Sequence, residues 1–301
     1  MTEMTDLQRL MAAAQCEIRY DEPMSKHTSF RIGGGVEVMA FPKSIEELSD
    51  LLKLCAAHNV QQAILGAGTN VLAPDEGIRG VVICLKDVLD GIEVLEGHRL
   101  KVMAGVTMTR AAVFAANQGL TGLEFAHGIP GTVGGGVYMN AGAYGGEICQ
   151  VCVEAELMDR GGSVRTVSGE EMGFSYRHSR VEDSGEIVIS AVFQLTADDP
   201  AAIRARMKEL QTKRSASQPL DLPSAGSAFK RPVGGYAAAL IDQAGLKGFA
   251  VGGAAISTKH AGFAVNMGGA TAADVRNLLK QVSDRVFENS DIRLEPEIRI
   301  W

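Results

Sequence analysis

Residues 128–146 hold eight glycines and almost no charge. Glycine weakens helices and strands because it loses the most backbone freedom on ordering. Such a stretch belongs where bare backbone must approach something closely. Without Cβ atoms, successive N–H groups can converge on an anion, and phosphate is the usual one. A second glycine turn, Gly66-Ala67-Gly68-Thr69-Asn70, follows the apolar run Ala63-Ile64-Leu65. Together the two loops predict a large, diphosphate-bearing cofactor held from two sides, with Thr69, Asn70 and Thr132 adding side-chain donors. The shorter turn is not a dinucleotide fingerprint, since Val71 stands at the third glycine position and no helix clearly follows; no Walker lysine is present either. Taken alone, a tight strand-exit turn explains residues 66–71 as well as a ligand does.

Three further groups could carry chemistry. In Pro223-Ser-Ala-Gly226-Ser227-Ala-Phe-Lys230-Arg231, Gly226 exposes the Ser227 hydroxyl on a turn beside two cations. There is no nucleophile elbow, but a serine can deliver a proton without being a nucleophile. Ser175-Tyr-Arg177-His-Ser-Arg180 brings two arginines into one loop, which read alone is a surface loop. Near the end of the chain, alternation puts Glu295, Glu297 and Arg299 on one face of a strand and Leu294, Pro296, Ile298 and Ile300 on the other. A wet edge strand explains that pattern too, because proline is tolerated there. The histidines lack metal-type spacing to one another or to cysteine, so no metal is assigned. Cys149-Gln-Val-Cys152 looks like half a zinc site, but it opens the alternating run Val151, Val153, Ala155, Leu157. Residues three apart on a strand face opposite sides, and both thiols are read as buried small hydrophobes.

These residues need a scaffold with a sizeable core. A chain of 301 residues with 46% hydrophobic residues fits two domains of a soluble enzyme. Thirty-five glycines among 301 residues is well above the usual level of about 7%, and without low-complexity tracts the excess reads as tight turns and ligand loops. A net charge of −7 argues against nucleic-acid binding. The N-terminus is acidic and lacks a signal peptide's apolar core. No run approaches the ~18 apolar residues that span a bilayer. With five cysteines, an odd number, reduced thiols and a cytoplasmic protein are expected.

Along the chain, Ser44 and Glu47 have capping-box spacing for a helix over 45–58, with Leu48, Leu51, Leu52 and Cys55 as its apolar stripe. Strands are expected to 65 and over 80–85, a hairpin over 92–95 and 100–103, and a helix over 109–117 stopped by Gly119. Strands follow over 151–159, 164–167 and 187–195. Asp199-Pro200 starts a charged helix to about 215, and the domain boundary is placed there. Helices near 236–244 and 271–287 and a final strand over 292–300 complete the reading. Strands cluster early instead of alternating with helices, so α+β is favoured over a doubly wound sheet.

Taken in order, the motifs His27-Thr-Ser-Phe-Arg31-Ile-Gly33-Gly34, Gly66-Ala-Gly-Thr-Asn-Val71-Leu72, Gly128-Ile-Pro-Gly-Thr-Val-Gly134, Ser175-Tyr-Arg177, Gly226-Ser227-x-Phe-Lys230 and Leu294-Glu-Pro-Glu297 resemble the UDP-N-acetylenolpyruvoylglucosamine reductase family, in its shorter subtype. The resemblance implies an FAD-binding fold of the vanillyl-alcohol-oxidase type over 1–195, in subdomains of about 1–85 and 86–195. A C-terminal α+β substrate-binding domain over 196–301 follows, whose last strand, 292–301, reaches back toward the flavin. It implies noncovalent FAD, because no histidine stands in the first glycine turn. The expected flavin contacts are Gly66, Ala67, Gly68, Thr69, Asn70, Val71, Gly128, Pro130, Gly131, Thr132, Gly135, Asn140 and Ala141.

It also implies reduction of UDP-N-acetylglucosamine enolpyruvate in peptidoglycan synthesis, with NADPH as hydride donor and the chain most simply a monomer. Hydride addition to the enolpyruvyl methylene carbon pushes charge into the neighbouring carboxylate, where preorganised donors stabilise it. Arg177 matches the carboxylate-binding arginine and Glu297 its partner; to donate a hydrogen bond to an anion Glu297 must be protonated, so burial should raise its pKa. Ser227 matches the proton donor to the second carbon. By analogy Arg214 and Lys230 meet substrate anions, while Arg231 stands where some members have asparagine. A flavin oxidase of sugars or alcohols with the same clasp lacks the joint presence of Arg177, Ser227 and Glu297. A nucleotide-binding regulatory protein would carry no flavin.

Overall fold

The computed structural model describes residues 4–301; the first three residues of the N-terminal reading lie outside it. The chain divides into two compact units: residues 1–20, 38–67 and 80–213, and residues 21–37, 68–79 and 214–301.

The first unit contains the capped helix foreseen in the sequence. It spans Ile45–Ala57, the Ser44 hydroxyl accepts from the Glu47 amide at 3.1 Å, and Leu48, Leu51, Leu52 and Cys55 are all buried. The Glu47 carboxylate reaches back one residue further than a capping box requires, to the Lys43 amide at 2.7 Å. An antiparallel five-stranded sheet runs in the order Val164–Ser168, Cys152–Met158, Ile187–Gln194, Arg99–Met103, Ile92–Leu95. Its central strand, Ile187–Gln194, is buried at every position but the last. Ile187 and Ile189 join the core built on Met11, Leu48 and Leu52, while Val188, Ala191 and Phe193 join a second core with Leu100, Ala112 and Val137. Burial on both faces is why the sequence reads there as a continuous apolar run instead of an alternating one.

The glycine-rich segment departs from expectation by containing a short helix, Val133–Tyr138. Thr132 caps it, its hydroxyl accepting from the Gly135 amide at 3.3 Å, and Val133 and Val137 anchor it in the core. Capping and burial of those valines outweigh the low helix propensity of three consecutive glycines. Gly134 and Gly136 are there for packing: a Cβ would lie 2.9 Å from the Ala104 Cβ at the first and 2.7 Å from the Met108 sulfur at the second.

The second unit is built on an antiparallel sheet in the order Ser224–Ser227, Phe263–Asn266, Ala254–Ile256, Ala250–Val251. The helix Ala272–Ser290 buries Val275, Leu278, Leu279, Val282 and Val286 in a core shared with Phe30, Leu72, Ile298 and Leu294. That helix has a local capping box from Thr271. It also has a remote cap: the Asp75 carboxylate accepts from the Ala272 amide at 2.7 Å and the Ala273 amide at 3.0 Å. A negative group there also complements the helix dipole.

The final strand is much shorter than the sequence pattern suggests, covering only Arg299–Ile300. Leu294 and Ile298 are buried as expected, but Pro296 and Ile300 are exposed. Pro296 has no N–H to give a ladder, and the residue makes only an isolated bridge with Phe229. Among the described residues no helix is long and apolar enough to cross a membrane.

Replacing Asp75 by Ala should destabilise the second unit by about 1 kcal/mol, the usual value of a helix cap. The urea midpoint should fall with an unchanged slope.

Candidate functional site

Within the first unit Gly66, which opens the first glycine turn, meets the start of the second glycine segment. A Cβ on Gly66 would lie 2.6 Å from the Thr132 hydroxyl oxygen, and a Cβ on Gly135 would meet nothing but that same oxygen, at 3.6 Å. Thr132 is itself 2% exposed. Bare backbone therefore surrounds one threonine, with Gly135 on the open side of the short helix. The amides of Val133 and Gly134 donate to the carbonyls of Val106 and Ala104 at 2.8 and 2.9 Å, so the helix start is fixed by the protein itself. At Gly135, where an added Cβ would meet only the Thr132 hydroxyl oxygen, the surface is free of side chains and open to a group such as a diphosphate, whereas Gly66 is bare because Thr132 packs against it.

The arginine loop of the same unit is a tight hairpin. The Ser175 and His178 backbones exchange hydrogen bonds at 3.1 and 3.3 Å, leaving Tyr176 and Arg177 at its tip. Arg177 is half-buried and has φ +56°, the left-handed region that is uncommon outside glycine, asparagine and aspartate. Its guanidinium donates to the Gly142 carbonyl at 3.3 Å and lies 5.1 Å from the Tyr176 ring centre. Two buried side chains tie the hairpin to the glycine segment. Asn140 donates through Nδ2 to the Ser175 carbonyl at 3.0 Å and to the Glu147 carboxylate at 3.1 Å, and accepts from the Cys149 amide at 2.9 Å. Ser179 donates to the Tyr138 carbonyl at 2.9 Å. Glu147 and Ser179 carried no signal in the sequence; only Asn140 stood out, as a neighbour of glycines.

Cys149 does not open a strand. It sits exposed in the one-turn helix Ile148–Gln150, its amide held by Asn140, and only Cys152 is buried as read. Burial pushes the Cys152 thiol up to about 12, which leaves it inert at neutral pH.

In the second unit the remaining residues converge through backbone pairing. The strand Ser224–Ser227 carries a bulge against Phe263–Asn266: Ser224 pairs with Val265 and Ser227 with Phe263, three residues against two. Gly226, at φ +75°, supplies the left-handed residue of that bulge, and such bulges re-aim the following side chain. Ser227 is exposed as a result. Next to it, the Ala228 carbonyl accepts from the Glu297 amide at 3.0 Å, and the Lys230 amide donates to the Glu295 carbonyl at 2.9 Å.

On its other side the terminal segment pairs with the first glycine turn. Asn70 Nδ2 donates to the Glu297 carbonyl at 3.2 Å, the Arg299 amide donates to the Asn70 carbonyl at 2.9 Å, and Arg299–Ile300 runs parallel to Val71–Leu72. Ser29 closes the block. Its amide donates to the Gly68 carbonyl at 3.0 Å and its hydroxyl to the Ser224 carbonyl at 2.6 Å.

The structure thus brings Gly68–Val71, Ser227 and Glu297 into one hydrogen-bonded block, while Gly66, Ala67, the 128–141 residues and Arg177 belong to the first unit. Lys230 is ion-paired with Glu295 at 2.5 Å. Arg214, 7% exposed, donates to the Gln218 side chain at 3.2 Å. The Arg231 guanidinium sits 4.5 Å over the Tyr236 ring.

Comparison with known proteins decides the class. The chain matches the C-terminal domain of UDP-N-acetylenolpyruvoylglucosamine reductase over residues 218–301 and an FAD-binding domain over residues 36–168. It is 44% identical over 300 residues to the UDP-N-acetylenolpyruvoylglucosamine reductase of Lactococcus lactis subsp. cremoris strain SK11, covering 100% of this chain and 99% of that one. This chain belongs to the UDP-N-acetylenolpyruvoylglucosamine reductase family. The Agathobacter rectalis reductase is 45% identical over 297 residues, covering 95% of this chain and 94% of the relative. The crystal structure of the Thermus caldophilus reductase is similar with a TM-score of 0.78 at 34% identity, over 95% of this chain and 99% of that one. An alkyldihydroxyacetonephosphate synthase shares the fold at a TM-score of 0.50 and 17% identity, over 65% of this chain and 41% of the other. The fold is thus α+β: an FAD-binding domain followed by the family's C-terminal domain, and the chain is a flavin-dependent oxidoreductase.

A Cβ at Gly68 would lie 2.0 Å from the His27 carbonyl oxygen, backbone against backbone, at φ +62°. Gly68→Ala should therefore cost more than the ~1 kcal/mol of an ordinary glycine replacement. It should also purify with less flavin per chain, read as the ratio of flavin to protein absorbance.

Proposed function

We propose that this chain reduces UDP-N-acetylglucosamine enolpyruvate to UDP-N-acetylmuramate with NADPH as reductant, the reaction of its family in peptidoglycan synthesis. The observation that carries the reading is the block in which Asn70 of the glycine turn, Glu297 and the residue after Ser227 are linked through consecutive hydrogen bonds. We assign FAD binding to residues 1–195, in subdomains of about 1–85 and 86–195, and substrate binding to 196–301.

When bound, noncovalent FAD supplies the hydride, taken from NADPH, that adds to the methylene carbon of the enolpyruvyl ether. The chain's task is to hold the diphosphate and to manage the charge this addition creates. We assign cofactor contact to the backbones of Gly66, Ala67, Gly128, Pro130, Gly131, Thr132, Gly135, Asn140 and Ala141 in the first unit and of Gly68, Thr69, Asn70 and Val71 in the second; the Asn140 side chain is committed elsewhere. Arg177 takes the substrate carboxylate, where a guanidinium gives paired, charge-assisted hydrogen bonds. Glu297, carrying a proton, donates to the same developing charge. Ser227 gives its proton to the carbon beside the ether oxygen, completing addition of one hydride and one proton across the double bond. The bulge at Gly226 supports that role by turning an otherwise ordinary strand serine outward. Lys230 and Arg214 favour substrate anions; Lys230 would exchange its exposed partner Glu295, 70% accessible at the side chain, for phosphate. The chain acts on a small molecule as a cytoplasmic monomer, with neither membrane nor nucleic acid as partner, in keeping with its net charge of −7.

NADPH oxidation by the flavin-loaded chain should depend on the enolpyruvyl substrate. Ser227→Ala should slow it by about 10²–10⁴-fold, the range for a positioned general acid, with flavin still bound. Full turnover in that variant refutes the proton-donor role, and substrate-independent oxidation of NADPH refutes the reaction. Light scattering of the flavin-loaded chain should return the mass of a single chain, and a dimer mass overturns the monomer.

A further inference from the structure

Three non-glycine residues with left-handed backbone, Asn140 at φ +42°, Tyr144 at +54° and Arg177 at +56°, gather where the arginine hairpin meets the end of the glycine segment. Left-handed backbone at a residue such as arginine is strained and persists only where the surroundings over-determine it. The over-determination is visible. Asn140 is 1% exposed, and its one side chain makes three hydrogen bonds to two segments: to the Ser175 carbonyl at the base of the hairpin, and to the Glu147 carboxylate and the Cys149 amide of the turn that follows the glycines. Both Nδ2 hydrogens and the Oδ1 are thus engaged, so the amide can sit in only one orientation. Ser179, fully buried, pins the other side of the hairpin to the Tyr138 carbonyl, and the Arg177 guanidinium already leans on the Gly142 carbonyl two residues beyond Asn140.

We infer that Asn140 is a positioning residue for Arg177: it holds the hairpin Ser175–His178 in the left-handed conformation that aims the guanidinium, and so sets affinity for the substrate carboxylate. This rests on the reading of Arg177 given above. A buried amide is suited to the task because it is uncharged and offers donors and an acceptor at once. Aspartate in its place would keep the acceptor for the Cys149 amide but turn an oxygen toward the Ser175 carbonyl and the Glu147 carboxylate, where nothing donates.

The test is a double-variant cycle on full-length, flavin-loaded chains, comparing Asn140→Ala, Arg177→Lys and the pair. Turnover per bound flavin is read at saturating NADPH, and affinity for UDP-N-acetylglucosamine enolpyruvate by calorimetry. Asn140→Ala should weaken substrate binding and turnover by about 10–100-fold, the scale of a slightly misplaced catalytic group. Added to Arg177→Lys it should cost less than about threefold more, because both changes remove one interaction. Asn140→Asp should show the same pattern, and serves if the alanine chain does not fold. A loss that multiplies in full on Arg177→Lys overturns the positioning role, and so does parental affinity and turnover in both Asn140 variants. Parental behaviour of Arg177→Lys overturns instead the reading of Arg177 as the carboxylate ligand.

Discussion

The second unit depends on a pair of backbone ties that converge on the turn at Gly68–Asn70. Ser29 joins the Gly68 carbonyl to Ser224, and the terminal segment joins Asn70 to Ala228 by way of Glu297. Neither tie is local. The segments they link lie at opposite ends of the chain, so each closes a long loop, and closure entropy grows only slowly with loop length. What they produce is a fixed register. Ser227 and Glu297 cannot slide relative to the glycine turn without breaking main-chain hydrogen bonds on both sides of the terminal segment. A proton donor and an anion-stabilising acid are useful only when their positions relative to the reacting carbon are settled before the charge appears.

Much of the scaffold was legible in the sequence because its signals are local. Ser44 with Glu47 and Asp199-Pro200 each mark a helix start through groups within one turn, and all four residues of the apolar stripe of Ile45–Ala57 are buried, with Ser49 beside them. The hairpin Ile92–Leu95/Arg99–Met103 follows equally from its turn. Where the sequence misled, burial or a single neighbouring residue had outweighed the wider pattern. Three successive glycines become helical because Thr132 caps them and two valines anchor them. The alternating tail fails to form a long strand because Pro296 interrupts the ladder.

The site was legible in a different sense. Its residue types could be named from motif order, but not what each side chain is engaged with. Asn140 stands in a run of glycines and reads as one more ligand of the cofactor; only the fold reveals that its amide is taken up by Ser175, Glu147 and Cys149. Lys230 reads by analogy as a cation that meets substrate anions and is found paired with Glu295. Asp75 gave no signal, because the helix it caps begins 197 residues later. The glycine excess likewise divides into two kinds that composition cannot separate: Gly134 and Gly136 admit neighbouring protein atoms, while Gly135 leaves a surface open.

The strand Ile187–Gln194 serves two cores of the first unit, with neighbours hydrogen-bonded along both edges. Neither core can loosen alone, because the strand that would have to move is a wall of the other. Cooperative opening of that unit therefore has no cheaper partial route through its centre, and the amides of this strand belong to the slowest class to trade protons for deuterons. Their rate measures the unit's full unfolding free energy, whereas the tip at Tyr176–Arg177 should exchange long before them. The unit is stiffest at the middle of its sheet, and that stiffness is what allows the rim to carry strain.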